Sequence, residues 1–371
     1  MTTTWGRVLA RQFRKGWSEV CGVHRPAELH SRGTYTAAVH VGATEVEIFD
    51  RPLKRLHRDR SAATLRVDDP LQLAITENLL DRLEDCKRQF PVAAILGGAG
   101  EVVLRQLQDG RAGIEKVLLL DSSQAMLDRV KQRVTASSGS MPDVDYILGD
   151  AEDIPLEEGS VDLIISCLSL HWVNDLMEAM RQYRKVLKPD GLFLAAMLGG
   201  GTLQEMRIAC TLAQTEREGG VSPFVSPLVQ VRDAGNLLFG AGLTIPTVDV
   251  DDVQLAYRDP LEMVEHLRSL GESHATKRRR SFLPRDVALA AAAIYESHFK
   301  NEAGGIDATY QVIYMTGWTP HPARQKPAKR GSGTVNFVDL ERELGSRPKF
   351  KGLDDNENSS PQPSETGRQE T

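Results

Sequence analysis

"VAAILGGAGEVVL" (residues 92–104) gives the clearest indication of a fold class in this sequence. A short apolar run, residues 92–96, meets a cluster of glycines, and a helix-like stretch follows. This order is typical of the first strand, loop and helix of a nucleotide-binding α/β domain. Ala99 and Glu101 stand where further glycines are common, so the stretch taken alone fits a simple tight turn equally well.

Short apolar strands alternate with amphipathic helices after this loop. The predicted strands lie within residues 115–123, 144–154, 161–172 and 191–198. This alternation indicates βαβ units and a parallel sheet. Because ligands bind beyond the carboxyl ends of parallel strands, where the strand order reverses, we expect the loops at these ends to form one rim. Those loops contain residues 97–101, 121, 150–152 and 166–172.

The regular alternation stops after residue 199. Helices are predicted near residues 202–218, 260–270 and 284–299, and strands at residues 248–257 and 309–318. A final pair of strands with helices between them predicts a sheet that ends in an antiparallel strand. We expect the helical insertion, at about residues 200–300, to form a lid over the ligand site.

The two ends of the chain differ from its middle. The 371 residues carry a net charge of −6, which argues against general nucleic-acid binding, whereas residues 1–34 are rich in arginine and poor in acids. Such a start is typical of a mitochondrial targeting segment, and a basic tail without a targeting role is the alternative. We predict a targeting or disordered segment at residues 1–45, a folded domain at residues 46–345 and a disordered tail at residues 346–371.

Two carboxylates on the predicted rim are candidates for holding a nucleoside. Asp121 lies 21 positions after Gly100, at a strand end, where an acid accepts hydrogen bonds from both ribose hydroxyls. The alternative role of Asp121 is to cap the next helix. Asp150 would accept a hydrogen bond from an exocyclic amine such as that of adenine, with the Ala151 backbone as the matching donor. The alternative for Asp150 is a polar loop that caps a short turn.

The charge of the glycine loop bears on which cofactor binds. Glu101 would lie at the N-terminus of the following helix, where its carboxylate would repel a pyrophosphate. S-adenosylmethionine has no phosphate, and its sulfonium cation tolerates nearby carboxylates. The sequence therefore favours S-adenosylmethionine over NAD.

Four segments, in this order, resemble the class I S-adenosylmethionine-dependent methyltransferases. They are "LGGAG", "LLLDSSQAML", "GDAEDIPLEEGSVDLIISCLSLHWVNDL" and "RKVLKPDGLFLAAMLGGGTLQEMR". More narrowly, the chain resembles the mitochondrial complex I assembly factors that have this fold and hydroxylate arginine. "IFDRPLKRLHRDRSA" (residues 48–62), "LRSLGESHATKRR", "PRDVALAAAAIY" and "KRGSGTVNF" support this narrower match. The first of these, the "AAAAIY" helix and the basic N-terminus separate the chain from the malonyl-carrier-protein methyltransferases of biotin synthesis.

The resemblance implies a Rossmann-like α/β fold, with a seven-stranded, mainly parallel sheet, an antiparallel last strand and a helical lid. It implies an enzyme of the mitochondrial matrix that binds S-adenosylmethionine and hydroxylates an arginine on a core subunit of complex I. Carried over by position, the cofactor-binding residues are Gly97, Gly98, Gly100, Asp121, Ser122, Asp150 and Ala151. The chain departs from the family pattern at Ile95, Ala99 and Glu101, which weakens the methionine end of the predicted site.

The sequence does not identify a catalytic residue. One HxD pair is present, His57 and Asp59, but no iron triad or other metal site is recognisable. His171 and Trp172 lie where an acceptor would enter, or they pack under the lid. Rim carboxylates suited to a substrate guanidinium are Glu152, Asp153, Asp175 and Glu205.

A basic patch at residues 277–280 has two interpretations. One is a surface that docks an acidic partner or the matrix face of the inner membrane, and the other is a solvated loop. Two other functions for the whole protein also stay open at this point. One is a methyltransferase that acts on a small molecule or a carrier protein, and the other is an assembly chaperone without catalytic activity.

Overall fold

The computed structural model describes residues 47–135, 140–280 and 282–321. Two predicted segments lie outside these residues, namely the targeting segment at residues 1–45 and the tail at residues 346–371. The division of the chain into a targeting segment, a folded domain and a tail therefore stays a prediction.

One mixed sheet forms the centre of the described residues. Its strands are β1 (Val92–Leu96), β2 (Lys116–Asp121), β3 (Asp143–Leu148), β4 (Val161–Cys167), β5 (Leu187–Leu198), β6 (Thr244–Tyr257) and β7 (Ile306–Trp318). Their order in the sheet is β3-β2-β1-β4-β5-β7-β6. Strands β1 to β5 pair in parallel, whereas β7 runs antiparallel to both β5 and β6. This arrangement confirms the predicted fold class.

The helices of the described residues lie on both faces of this sheet. They are α1 (Arg51–Thr64), α2 (Pro70–Glu84), α3 (Gly100–Gln106), α4 (Gln124–Thr135), α5 (Leu176–Val186), α6 (Gln204–Glu218), α7 (Val231–Gly240), α8 (Pro260–Ser269) and α9 (Arg285–His298). The sequence pattern did not predict α1 or α7. Helix α1 begins after Asp50, whose side chain accepts a hydrogen bond from the Leu53 amide at 3.0 Å, and a proline lies in its first turn.

Alternating side chains of the strands build an apolar layer on each face. Ile95 faces the layer that contains α2, α3 and α4, and Leu96 faces the layer that contains α5 and α7. Both side chains are fully buried. Ile95 therefore belongs to the core, where an apolar side chain stabilises the sheet.

The strand order reverses between β1 and β4, and the glycine loop lies at this point. The Gly97 amide donates to the carbonyl oxygen of Leu120 at 2.7 Å, and the Ala99 amide donates to that of Cys167 at 2.8 Å. These bonds fix the loop to the ends of β2 and β4. The rim predicted from the alternation of strands and helices therefore forms around the glycine loop, where α/β sheets bind ligands.

Candidate functional site

The first glycines of the loop let its backbone approach the ends of neighbouring strands closely. Gly97 and Gly98 have positive φ angles of +46° and +55°. A Cβ atom on Gly98 would lie only 1.9 Å from the Cys167 carbonyl oxygen. Gly100 differs, because a Cβ there would meet the side chains of Leu119 and Ile95 inside the core. Gly97 and Gly98 therefore shape the surface of the loop, and Gly100 lets α3 pack on the sheet.

Asp121 ends β2 and lies beside this loop. Its Oδ1 accepts a hydrogen bond from the Ser123 amide at 2.8 Å, and its Oδ2 forms an ion pair with Arg58 of α1. The cap of α4 is provided by Ser123, whose Oγ accepts from the Met126 amide at 3.1 Å. Asp121 therefore does not cap α4, and its Oδ2 faces the Arg58 guanidinium.

Asp150 follows β3 and carries a similar arrangement. Its Oδ1 accepts from the Glu152 amide at 3.0 Å, as a turn-capping side chain does, and it also forms an ion pair with Arg51. The neighbouring Ala151 is buried, and its carbonyl oxygen accepts a hydrogen bond from the Tyr183 hydroxyl at 2.6 Å. The turn at Asp150 is therefore fixed by the protein on both sides.

Helix α1 presents a row of cations to the rim. Arg51, Lys54 and Arg58 are three and four positions apart, which places them on one face of the helix. Each of them pairs with a carboxylate, namely Asp150, Glu272 and Asp121 in that order. We call Arg51, Lys54 and Arg58 the cation face of α1. The predicted site residues did not include them, although their spacing in "RPLKRLHR" was a signal that could have found them.

The middle contact of the cation face is a buried group of interactions around Lys54 and Glu272. Lys54 Nζ donates to Glu272 Oε1 at 3.0 Å and to the Gly271 carbonyl oxygen at 2.7 Å. The same ammonium lies 3.6 Å from the centroid of the Trp172 ring. Glu272 Oε2 accepts from Trp172 Nε1 at 2.8 Å and lies 2.8 Å from His171 Nε2. Glu272 therefore connects α1 to the segment that follows β4.

Burial and neighbouring charges both shift the pKa values of Lys54 and Glu272. Burial lowers the pKa of the Lys54 ammonium to about 7, although the Glu272 carboxylate opposes that change. Burial alone would raise the pKa of Glu272, but the charges and hydrogen bonds of Lys54 and His171 hold it well below its usual range. Glu272 is therefore ionised at neutral pH, and Lys54 is a cation that loses its proton readily.

These elements enclose one cleft beside the glycine loop. It is lined by Arg51, Lys54, Arg58, Gly97, Gly98, Leu120, Asp121, Ser122, Gly149, Ala151, Leu168, Ser169, Trp172 and Glu272. Most of the predicted cofactor residues therefore face this cleft directly. The exceptions are Gly100, which packs in the core, and Asp150, which reaches the cleft edge through Arg51.

Glu101 lies in a buried cluster of ion pairs, which the sequence did not predict. Its carboxylate is buried and pairs with Arg129 at 2.8 Å, Arg105 at 3.3 Å and Arg133 at 3.4 Å. It does not line the cleft itself, although it lines an adjoining cavity that shares Arg58, Gly98 and Asp121 with the cleft. Repulsion of a pyrophosphate by Glu101 is therefore wrong as a reason to prefer S-adenosylmethionine, because three arginines compensate the charge.

The other predicted carboxylates are engaged elsewhere. Asp175 caps α5 by accepting from the Glu178 amide at 2.8 Å, and Glu205 accepts from the Thr309 hydroxyl at 2.5 Å. Glu152 accepts from the amide of Asn174 and lies 3.8 Å from Arg51 Nε, and Asp153 is exposed outside the cleft. The structure therefore brings Glu272, rather than these residues, into the cleft. Its segment, "LRSLGESHATKRR", was noted in the sequence only as a family feature.

The basic patch at residues 277–280 is largely paired within the chain. Lys277 pairs with Glu47, Arg279 with Asp50 at 3.0 Å, and Arg280 with Glu218 at 2.7 Å. Ion pairs of this kind reduce the positive charge that the patch offers to an acidic partner or a membrane.

Comparison with known proteins decides the family. Residues 96–195 match the family described as a methyltransferase domain. The chain is 41% identical over 298 residues to the mitochondrial arginine-hydroxylase NDUFAF5 of Danio rerio, a match that covers 80% of this chain and 90% of that protein. Its counterpart in Homo sapiens is 40% identical over 338 residues, with 90% and 94% covered.

The chain belongs to the NDUFAF5 family of mitochondrial arginine hydroxylases. The family is related to methyltransferases, since the malonyl-[acyl-carrier protein] O-methyltransferase of Methylovorus sp. (strain MP688) is 31% identical over 279 residues, covering 74% of this chain and 90% of that protein. Both resemblances seen in the sequence are thereby confirmed. The names of the NDUFAF5 relatives also confirm the predicted mitochondrial location. No helix within the described ranges is long and apolar enough to cross a membrane.

Proposed function

We propose that this protein is an arginine hydroxylase that binds S-adenosylmethionine in the cleft beside the glycine loop. The observation that carries the proposal is the 40% identity to NDUFAF5 of Homo sapiens across 90% of the chain. The matched region, 90% of the chain, spans α1 and the Glu272 segment as well as the sheet. The proposed substrate is an arginine on a core subunit of respiratory complex I, modified in the mitochondrial matrix during assembly.

The residues of the cleft fit the nucleoside part of this cofactor. Gly97 and Gly98 leave the loop without side chains where the ligand would lie. Asp121, with Ser122 beside it, would accept hydrogen bonds from the ribose hydroxyls. Asp150 and the Ala151 backbone would bind the adenine ring. Gly100 supports the site from the core side.

Cofactor binding in this cleft requires a rearrangement of the cation face of α1. Asp121 already accepts bonds on both oxygens, one from the Ser123 amide and one from Arg58. At Asp150, Arg51 and the Glu152 amide share one oxygen, Oδ1. We propose that both arginines move aside when the nucleoside binds, because both line the cleft and pair with the carboxylates that the nucleoside would bind.

A methyltransferase activity is the second candidate function. The observation that favours it is the 31% identity to a malonyl-carrier-protein methyltransferase across 74% of the chain. The two functions differ in the mass they add to their target, one oxygen atom for hydroxylation and one methylene equivalent for methylation. A third reading, an assembly chaperone without catalytic activity, predicts neither addition.

Calorimetric titration with S-adenosylmethionine tests the cofactor site. The full chain should bind it, and Asp121→Asn should weaken binding by about tenfold or more, because a hydrogen bond to a charged group is lost. Asp145→Asn is the matched control, since Asp145 is a strand aspartate in an exposed ion pair with Lys116 at 2.7 Å. The proposal fails if the wild-type chain does not bind, or if the two variants behave alike.

A further inference from the structure

Lys54 occupies a site that is built for a cation. Its ammonium is surrounded by the Glu272 carboxylate, the Gly271 carbonyl oxygen and the face of the Trp172 ring, at 3.0, 2.7 and 3.6 Å. Glu272 is oriented from behind by Trp172 Nε1 and His171 Nε2, both at 2.8 Å from its Oε2. The carboxylate, the carbonyl and the ring therefore keep their positions through contacts that do not involve Lys54.

The same groups are suited to a guanidinium. A guanidinium is planar and has five N–H donors, so it stacks on an aromatic ring while donating to oxygens at its edge. Glu272 Oε1 and the Gly271 carbonyl are such oxygens, and the Trp172 ring is such a surface. An ammonium uses this ring only as a point charge, whereas a guanidinium gains both stacking and cation–π attraction.

The site also lies where a substrate side chain is needed. Trp172 and Glu272 line the cleft together with Gly97 and Asp121, so a group bound there would be next to the proposed cofactor. Trp172 follows β4, at the point where the strand order reverses. The carboxylates Asp175 and Glu205, by contrast, are used to cap α5 and to hold β7.

We propose that Glu272 and the Trp172 ring form the subsite that binds the guanidinium of the substrate arginine, and that Lys54 holds this subsite in the free protein. The proposal rests on the proposed arginine hydroxylase function. Substrate binding then displaces the Lys54 ammonium, and the buried carboxylate exchanges one cation for another. In this exchange the Glu272 carboxylate passes from one cation to another without an unpaired intermediate, which would be costly.

The Trp172 indole N–H, which donates to Glu272, provides a direct readout. The full chain is labelled with ¹⁵N at its tryptophan indoles, and the Trp172 resonance is assigned with Trp172→Phe. Titration with Nα-acetyl-arginine amide should shift this resonance, and the uncharged isostere Nα-acetyl-citrulline amide should not. Equal shifts with both compounds would overturn the proposal.

Two substitutions test whether Lys54 and Glu272 affect binding of the arginine probe or only the folding of the protein. Lys54→Met keeps most of the side-chain length, removes the ammonium and frees the subsite, so the apparent Kd of the arginine probe should fall by about tenfold. Glu272→Gln keeps the shape and removes the charge, so the Kd should rise by about tenfold or more. Lys116→Met and Glu178→Gln, which alter exposed ion pairs, are the matched controls and should leave the Kd unchanged.

Folding and arginine hydroxylation are measured on the same samples. If Glu272→Gln does not fold, the wild-type resonance shift and the Kd of Lys54→Met still test the subsite. Weaker or unchanged binding of the probe by Lys54→Met contradicts the proposal. Arginine hydroxylation in the wild type without binding of the arginine probe would overturn the subsite and leave the proposed function standing. Binding of the probe without hydroxylation would overturn the proposed function and leave the subsite standing.

Discussion

Arg58 of α1 forms a buried ion pair with Asp121, the carboxylate at the end of β2. The two side chains are only 8% and 7% exposed, so this pair closes the part of the cleft where a ribose would bind. Removing one partner of a buried pair is costly, because the remaining charge is left without compensation. A ligand that supplies new donors to Asp121 reduces that cost.

The ion pair between Arg58 and Asp121 should stabilise the fold and oppose cofactor binding. Arg58→Gln should lower the free energy of unfolding by about 3 kcal/mol, and it should tighten S-adenosylmethionine binding by about tenfold because the ribose hydroxyls no longer compete with a guanidinium. Urea unfolding and calorimetry measure the two effects. Arg55→Gln, an exposed position on the same helix, is the control. Weaker binding in Arg58→Gln would instead show that Arg58 contacts the cofactor.

Glu101 is predicted to stabilise the fold without taking part in ligand binding. Glu101→Gln leaves the buried Arg129 without its carboxylate partner, so the free energy of unfolding should fall by about 3 kcal/mol. The affinity of the folded protein for S-adenosylmethionine should stay the same, because Glu101 does not line the cleft. Urea unfolding and calorimetry at a temperature where the variant is folded check both statements. A stable variant with lost affinity would contradict this account.

Gly98 is predicted to tolerate no side chain. Gly98→Ala would place a Cβ 1.9 Å from the Cys167 carbonyl oxygen on a backbone with φ of +55°, so the loop must move away from β4. We expect a loss of several kcal/mol in the free energy of unfolding, about 3 kcal/mol or more. Gly220→Ala, where a Cβ meets open space, is the control. Thermal unfolding of both variants measures the difference, and equal Tm values would show that the loop relaxes freely.

Lys54 is predicted to make stability depend on pH. Its pKa is lowered from 10.5 to about 7 in the folded protein by burial, so the unfolded chain binds more protons between these pH values. Stability from this group therefore rises with pH across that range, by at most about 1.4 kcal/mol per pH unit. Urea unfolding of the wild type and of Lys54→Met at several pH values isolates the effect. Parallel curves for the two proteins would show that Lys54 keeps its ordinary pKa.

The sheet and the edge that carries the glycine loop followed from the sequence because the strands are short apolar runs that end in polar loops. Periodicity of apolar residues also predicted most helices. It failed for α1 because the buried face of this helix consists of Lys54, Arg58 and Ser61, so no apolar stripe exists to detect. It failed for α7, where the buried face is limited to Ala234 and Leu238.

The charges of the site were harder to predict because their partners are far apart in the chain. Glu101 pairs with Arg129, 28 positions away, so its charge seemed uncompensated when only the loop was considered. Glu272 meets Lys54 across 218 positions. A sequence shows which residues carry charge, whereas the fold decides which charges neutralise each other.

Mass spectrometry of complex I core subunits tests whether this protein hydroxylates an arginine. The subunits are isolated from cells that lack this protein, and from the same cells after return of the wild-type chain or of Asp121→Asn. The account predicts that one arginine loses the mass of an oxygen atom in the deletion, regains it with the wild type and does not regain it with Asp121→Asn. An arginine that stays fully modified in the deletion, or a subunit that is methylated instead, would contradict the account.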